Sequence, residues 1–227
     1  MRILALETST LAGSVALLDG RRIVGESRLD IALTHSERLM AMIDRLLQDC
    51  AWPVTDLEAL AVSTGPGSFT GLRVGVATAK GLALALDLPV APVATLDALA
   101  SNLPFADAPV CPLLDARKGE VYLALYRWSE DRMERCSDYL ALSPRAAAAR
   151  LTLPAIVLGD GVAACLPFLS GLGSGLRIAP ASHSTPSAAV VGQLGHAMLE
   201  SGQAVTADAL APLYLRPLAA ELTGRRA

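Results

Sequence analysis

Ser63-Thr64-Gly65-Pro66-Gly67-Ser68-Phe69-Thr70-Gly71-Leu72-Arg73-Val74-Gly75 is the stretch around which the chain is organised. Before it, Leu60-Ala61-Val62 is a short apolar run of the kind that forms a buried strand. After it, Leu72 to Leu86 is long enough for about four helical turns. Gly65, Pro66 and Gly67 turn the chain sharply, because glycine tolerates positive φ and proline holds φ at about −65°. Ser68 and Thr70 are candidate N-caps for the following helix. A strand, a glycine turn and a helix N-terminus aim backbone N–H groups and a positive dipole end at one spot, which suits an anion. The loop lacks the Gly-Lys-Ser/Thr ending of a Walker A loop, since Gly71 is followed by Leu72 and Arg73. Thr70 stands where a dinucleotide fingerprint has glycine. The stretch is therefore either a tight turn that the fold geometry requires or a less usual phosphate cradle.

The helix after the loop carries a row of small side chains, Gly71, Gly75, Ala79 and Ala83, at four-residue intervals. Such a row lets another helix approach closely, from the same chain or from a partner subunit. Thr78 and Lys80 interrupt the apolar run, which reads as too short and too polar to span a bilayer.

The 227 residues suffice for one large domain or two small ones. Hydrophobic content is 52% but aromatic content only 4%, so the core must be built from Leu, Ala and Val. A net charge of −3 gives no overall pull toward nucleic acid or an anionic membrane. If RNA is involved, another component supplies most of the basic surface. Cys50, Cys111, Cys136 and Cys165 are scattered without a C-x-x-C pair, which argues against a zinc ribbon and a disulfide framework. Strand-like sequence begins at Arg2, so no signal peptide is expected and a reduced cytoplasmic compartment is.

In chain order, Arg2 to Thr8, Ser14 to Leu18 and Arg22 to Asp30 read as strands, with Asp19-Gly20 as a hairpin turn. Thr34-His35-Ser36-Glu37 matches a capping box, and Leu39, Met40, Ile43, Leu46 and Leu47 follow at helical spacing. Pro89 to Val93 is a strand and Thr95 to Ala100 starts a helix. The order β-β-β-α-β-α-β-α is the outline of a ribonuclease-H-like half, the repeating unit of the actin, sugar-kinase and Hsp70 superfamily. The second half repeats this loosely: strands at 109–115, 121–128, 133–140, 155–158 and 176–179, and helices from Ser143 to Leu151, over 162–169 and from Ser184 to about Leu199. Strands 2–7 and 110–115 each bring an acid, Glu7 or Asp115, near their C-terminal end.

Taken together, Ile3 to Thr10, His35-Ser36-Glu37, Ser63 to Gly75, Asp115 to Tyr122 and Pro212-Leu213-Tyr214-Leu215-Arg216 resemble the bacterial TsaB (YeaZ) family, over nearly the whole chain. The resemblance implies an α/β, two-lobed actin-like ATPase (ribonuclease-H-like) fold, with mixed sheets flanked by helices and a reduced second lobe. The expected division is 1–105, 106–183 and a C-terminal segment 184–227 packing back on the first lobe. It further implies a non-catalytic subunit that pairs with a catalytic TsaD-like paralogue and works with a TsaE-like ATPase. Together they place threonylcarbamoyl on the adenosine beside the anticodon of tRNAs reading codons that start with A. ATP and Mg²⁺ are then the business of partner subunits, and this chain is expected to need no cofactor of its own. One departure is Glu7, where the family usually has Asp; in superfamily kinases that acid helps hold hydrated Mg²⁺.

Two sets of residues follow as candidates. If the helix from His35 and the helix from Gly71 lie side by side outside the sheet, His35, Leu39, Met42, Ile43, Leu46, Gly71, Gly75, Ala79 and Ala83 face a paralogue, or a second copy when none is present. Glu7, Thr8, Ser9, Gly65, Gly67 and Ser68 are the candidates for a vestigial phosphate or nucleotide site. His35, His183 and His196 have no ligand spacing, so no metal site is expected. Ser9 and Ser68 have no histidine nearby in sequence and no G-x-S-x-G elbow, and Asp115 and Glu120 read as solvated turn residues, so no catalytic residue is assigned. A small-molecule phosphotransferase of the same fold is the competing function; a metallopeptidase is disfavoured by the missing histidine pair.

Overall fold

The computed structural model describes residues 1–30 and 35–215, with the side chains of 35–37 outside the described set. The capping box at 34–37 and Arg216 therefore lie outside the described residues. β1 (Arg2–Glu7), β2 (Ala12–Asp19) and β3 (Arg22–Asp30) form an antiparallel meander. β4 (Ala59–Gly65) pairs parallel with β1, and β5 (Val90–Ala94) parallel with β4, giving the order β3-β2-β1-β4-β5.

Both faces of this sheet are covered, which explains why its central strands read as unbroken apolar runs. Successive side chains alternate between faces. Leu4, Leu6, Leu17, Leu60 and Val62 point to the side of α1 (His35–Asp49) and α2 (Phe69–Leu86), where Leu39, Ile43, Val76 and Ala79 meet them. Ile3, Ala5, Ala16, Leu18, Ala59 and Ala61 point to the other side, onto α6 (Ala188–Glu200). That second face is alanine-rich because α6 comes very close. A Cβ at Gly195 would lie 2.5 Å from the Ala61 Cβ. The segment after α6 then returns along the first lobe, and Val205 forms an antiparallel bridge with Val90.

At 18 residues α2 is, by length and composition, apolar enough to cross a membrane, despite Thr78 and Lys80. In this fold it is a core helix. Gly71, Gly75, Ala79 and Ala83 are buried against the sheet, together with Leu72 and Val76. Gly75 is the tightest point, since a Cβ there would lie 2.2 Å from Thr8 Oγ1.

The second sheet contains β6 (Val110–Asp115), β7 (Val121–Leu123), β8 (Tyr126–Ser129), β9 (Arg132–Arg135), β10 (Leu140–Leu142), β11 (Ala155–Leu158) and β12 (Leu176–Ile178). Its main order is β10-β7-β6-β11-β12, with β8 on β6 and β9 on β8. α4 (Pro144–Ala148) and α5 (Val162–Leu169) pack on it, and α3 (Thr95–Ala100) lies between the two sheets. This is the two-lobed actin-like arrangement, with the smaller helices in the second lobe.

Three expectations need correction. The single strands expected over 121–128 and 133–140 are each broken in two. Leu125 donates its N–H to Ser137 Oγ at 2.9 Å and accepts from Cys136 N at 2.7 Å, so the chain changes pairing partner there. The helix expected to reach Leu151 ends at Ala148, where the amides of Arg150 and Leu151 tighten onto carbonyls three residues back. The last helix is capped by Ser187, not Ser184; the Ser187 hydroxyl accepts from Ala189 N at 3.2 Å and donates to Glu26 Oε1 at 2.7 Å.

Candidate functional site

The glycine stretch is clamped onto the turn between β1 and β2. Ser68 N donates to Ser9 O at 2.6 Å, and a Cβ at Gly67 would lie 2.4 Å from that same oxygen, so only glycine fits. Ser68 is the N-cap of α2, its hydroxyl accepting from Gly71 N at 3.3 Å. Thr8 Oγ1 donates to Gly71 O at 2.8 Å and fastens the first turn of α2 to β1. Gly65 has φ +123°, and the carbonyl oxygen of Leu213 lies 2.7 Å from where its Cβ would be. Leu213 N completes the contact by donating to Thr64 O at 2.7 Å.

These contacts build one wall of a cleft of about 450 Å³ between the lobes. Ser9, Thr10, Gly67, Ser68 and Thr70 supply hydroxyls, backbone and the α2 N-terminus on the first-lobe side. Asp115, Arg117, Lys118 and Asp160 face them from the ends of β6 and β11. Tyr214 closes a third side. Its ring lies 5.5 Å from that of Phe69, whose face carries the Arg73 guanidinium at 3.9 Å, and Arg73 Nε donates to the Tyr214 hydroxyl at 3.2 Å.

The second-lobe wall is made by two short loops. Arg117, Lys118 and Gly119 take successive positive φ values of 59°, 53° and 76°, which lifts both cationic side chains onto the cleft. Two consecutive non-glycine residues in that region are uncommon. Arg117 pairs with Asp115 at 3.1 Å; both are substantially exposed, so the pair adds little stability. Asp115 N donates to Asp160 Oδ1 at 2.9 Å. Burial holds the Asp160 carboxyl above the ordinary aspartate range, opposed by that N–H and reinforced by the Asp115 charge.

The sequence candidates for a phosphate site divide here. Ser9, Gly67 and Ser68 stand on the cleft. Glu7 and Thr8 are fully buried and do not line it. Glu7 Oε1 accepts from both the amide and the hydroxyl of Ser9 at 2.5 Å, so this carboxylate is folded back onto its own turn. Gly65 lies under Leu213. Phe69, Tyr122, Asp160 and Tyr214 were not assigned from the sequence; the Gly159-Asp160-Gly161 turn at the end of a strand was the available signal for Asp160. Among the described residues, no three His, Cys, Asp or Glu side chains gather as a metal site would require.

The helix candidates also need correction as an outward face. Leu39, Met42, Ile43 and Leu46 are at most 9% exposed and lie in the core beneath α1. Gly71, Gly75, Ala79 and Ala83 are likewise turned inward, so the row serves packing within this chain. The side chain of His35 lies outside the described residues. α1 and α2 do lie side by side over the sheet, and what they expose is a different set. Met40 and Ala41 are exposed on α1; Ala77, Gly81, Leu84 and Ala85 are exposed on α2. A Cβ at Gly81 would meet nothing within 4 Å.

A family model described as TsaD, tRNA N6-adenosine threonylcarbamoyltransferase, matches residues 30–156. The tRNA threonylcarbamoyladenosine biosynthesis protein TsaB of Escherichia coli K12 is 34% identical over 222 residues, 95% of each chain. The protein of the same description from Bacillus subtilis 168 is 39% identical over 135 residues, 60% of this chain and 59% of that one. Among solved structures, YeaZ from Pseudomonas aeruginosa superposes with a TM-score of 0.80 at 29% identity, covering 94% of this chain and all of that one.

Proposed function

The chain belongs to the TsaB family of tRNA threonylcarbamoyladenosine biosynthesis proteins, and from that membership we propose that it is a non-catalytic subunit of the complex that makes this modification. Its task is to hold a catalytic TsaD-like paralogue, with a TsaE-like ATPase joining and tRNA reaching the chain through the complex. ATP and Mg²⁺ act on those partners, in the cytoplasm. Alone, the chain pairs with a second copy through the same surface.

One observation carries this reading. Met40 on α1 is 52% exposed and Leu84 on α2 is 66% exposed, and Ala77, Gly81 and Ala85 add exposed small residues along α2. Large apolar side chains beside a flat strip of small ones suit close packing against helices of a related subunit. Gly81→Trp is the test, because Gly81 has open space around it. The variant is expected to keep its melting temperature and lose the mixed species with the TsaD-like protein in size-exclusion light scattering. Normal pairing by a folded Gly81→Trp chain would sink the proposal.

The cleft supports a second reading, a phosphotransferase or ATPase acting alone. The hydroxyls and α2 N-terminus opposite Arg117 and Lys118 suit a phosphorylated ligand. Glu7 favours the subunit reading, since its carboxylate is fully buried, is held by Ser9 and does not line the cleft. Turnover of Mg-ATP by the isolated chain, lost on Lys118→Ala, would bring this second reading to the front.

A further inference from the structure

α3 is only six residues long, yet it belongs to both cores. Its Ala98 packs with Ile3, Ala5, Val93 and Ala188 of the first lobe. Its Leu96 and Leu99, fully buried, pack with Val110, Leu114, Tyr126 and Leu158 of the second. Every residue of α3 is buried except Asp97. The Asp97 carboxylate is committed to the second lobe: Tyr126 Oη donates to Oδ1 at 2.6 Å, and Tyr139 Oη lies 2.9 Å from both oxygens. Arg135 stacks on the Tyr139 ring at 4.1 Å and holds it in place. Just past α3, Asn102 Nδ2 donates to the carbonyls of His183 and Thr185, each at 2.9 Å.

The chain passes between the two sheets twice, after β5 and again before α6. Two crossings of this kind are the topology of a hinge, which works when a few connecting residues can absorb the rotation. Here the connecting residues are tied. Asn102 laces the outgoing crossing to the returning one, and Asp97 fixes the outgoing helix to the start of β8 and to the segment just before β10. We propose that Asp97, Tyr126, Tyr139 and Asn102 form a latch that sets the angle between the lobes, so that cleft width is fixed by α3 and not by what enters the cleft. A swing of the second lobe would have to separate one carboxylate from two phenols at once. Tyr126 is only 1% exposed, so its hydroxyl would be left without water to replace the lost acceptor. The latch therefore keeps Arg117 and Lys118 at a set distance from Ser9 and Ser68, and makes the chain a rigid mount for its exposed helices.

Hydrogen–deuterium exchange on the full chain tests this, with Asp97→Ala and the milder Tyr139→Phe as variants. The latch predicts that exchange in the cleft segments 66–70 and 115–120 rises about tenfold in Asp97→Ala while β1 and β4 stay protected. Tyr139→Phe should raise the same segments by less, and small-angle scattering should give a larger radius of gyration for Asp97→Ala. A rise confined to residues 95–103 and 126–139 would overturn the proposal. So would a uniform rise over all segments in both variants, which would make the cluster an ordinary stabilising contact.

Discussion

α2 carries two rows of small side chains on opposite sides, and they meet different surroundings. Gly71, Gly75, Ala79 and Ala83 face the sheet, and at Gly75 there is no room for even a methyl group. Ala77, Gly81 and Ala85 face outward, and at Gly81 there is nothing to collide with. The spacing of the two rows is identical. A small residue in the first permits the fold; in the second it leaves a flat strip open to another molecule.

The same substitution on each side separates the two. Gly75→Ala is expected to cost about 2–3 kcal/mol, because Thr8 must leave its rotamer and give up its bond to Gly71 O. For a chain of this length that is a fall of about 5–10 °C in melting temperature. An unchanged melting temperature would mean that α2 can slide on β1, and the inward row would lose its meaning. Removing the cap that starts both rows is the next largest effect: Ser68→Ala should destabilise by about 1 kcal/mol in urea titration. Gly81→Ala has the opposite sign. With open space at that position, it should stabilise by about 0.5–1 kcal/mol, through helix propensity alone. A loss there would show that the outward row is already covered in solution, and a second copy would be the first suspect.

The smallest effect lies outside the helix, at Asp160 on the opposite wall of the cleft. Asp160 is held above the ordinary value of 3.8 mainly by burial, so its ionised form costs stability in the folded chain. Stability contributed by the protonated form is present below 3.8 and lost as pH rises through the higher folded value. Asp160→Asn, which keeps an acceptor for Asp115 N, should therefore stabilise slightly at pH 7. That gain should vanish in denaturant titrations at pH values below the ordinary aspartate value.

Much of the first lobe was legible because its signals are local. Gly65-Pro66-Gly67 marked the turn, Asp19-Gly20 the hairpin, and the apolar period of Leu39, Ile43 and Leu46 the first helix. What a local pattern does not carry is direction. A row at four-residue spacing looks the same whether it faces a sheet or a partner, and only the position of Thr8, more than sixty residues earlier in the chain, decides which. Glu7 failed for a related reason: a carboxylate at a strand end reads as a ligand until Ser9, two residues on, takes it. The cleft was hidden further still, because its walls come from Ser9, Ser68, Lys118, Asp160 and Tyr214, and no window of sequence contains them all. In the second lobe, strand splitting at Leu125 depends on Ser137, twelve residues away, a contact that alternation of side chains does not encode.

The position of α6 has a consequence for synthesis. The face formed by Ile3, Ala5, Ala16, Leu18, Ala59, Ala61, Ala91 and Val93 is finished by Ala94, but its cover is not made until Glu200. The ribosome must add roughly a hundred residues in between, at about 5–20 per second, so a nascent chain shows that bare face for on the order of ten seconds. During that interval the first sheet has the composition of an aggregation site, and a holding chaperone has the opportunity to act. A ribosome stalled anywhere in the second lobe releases a chain that cannot bury it.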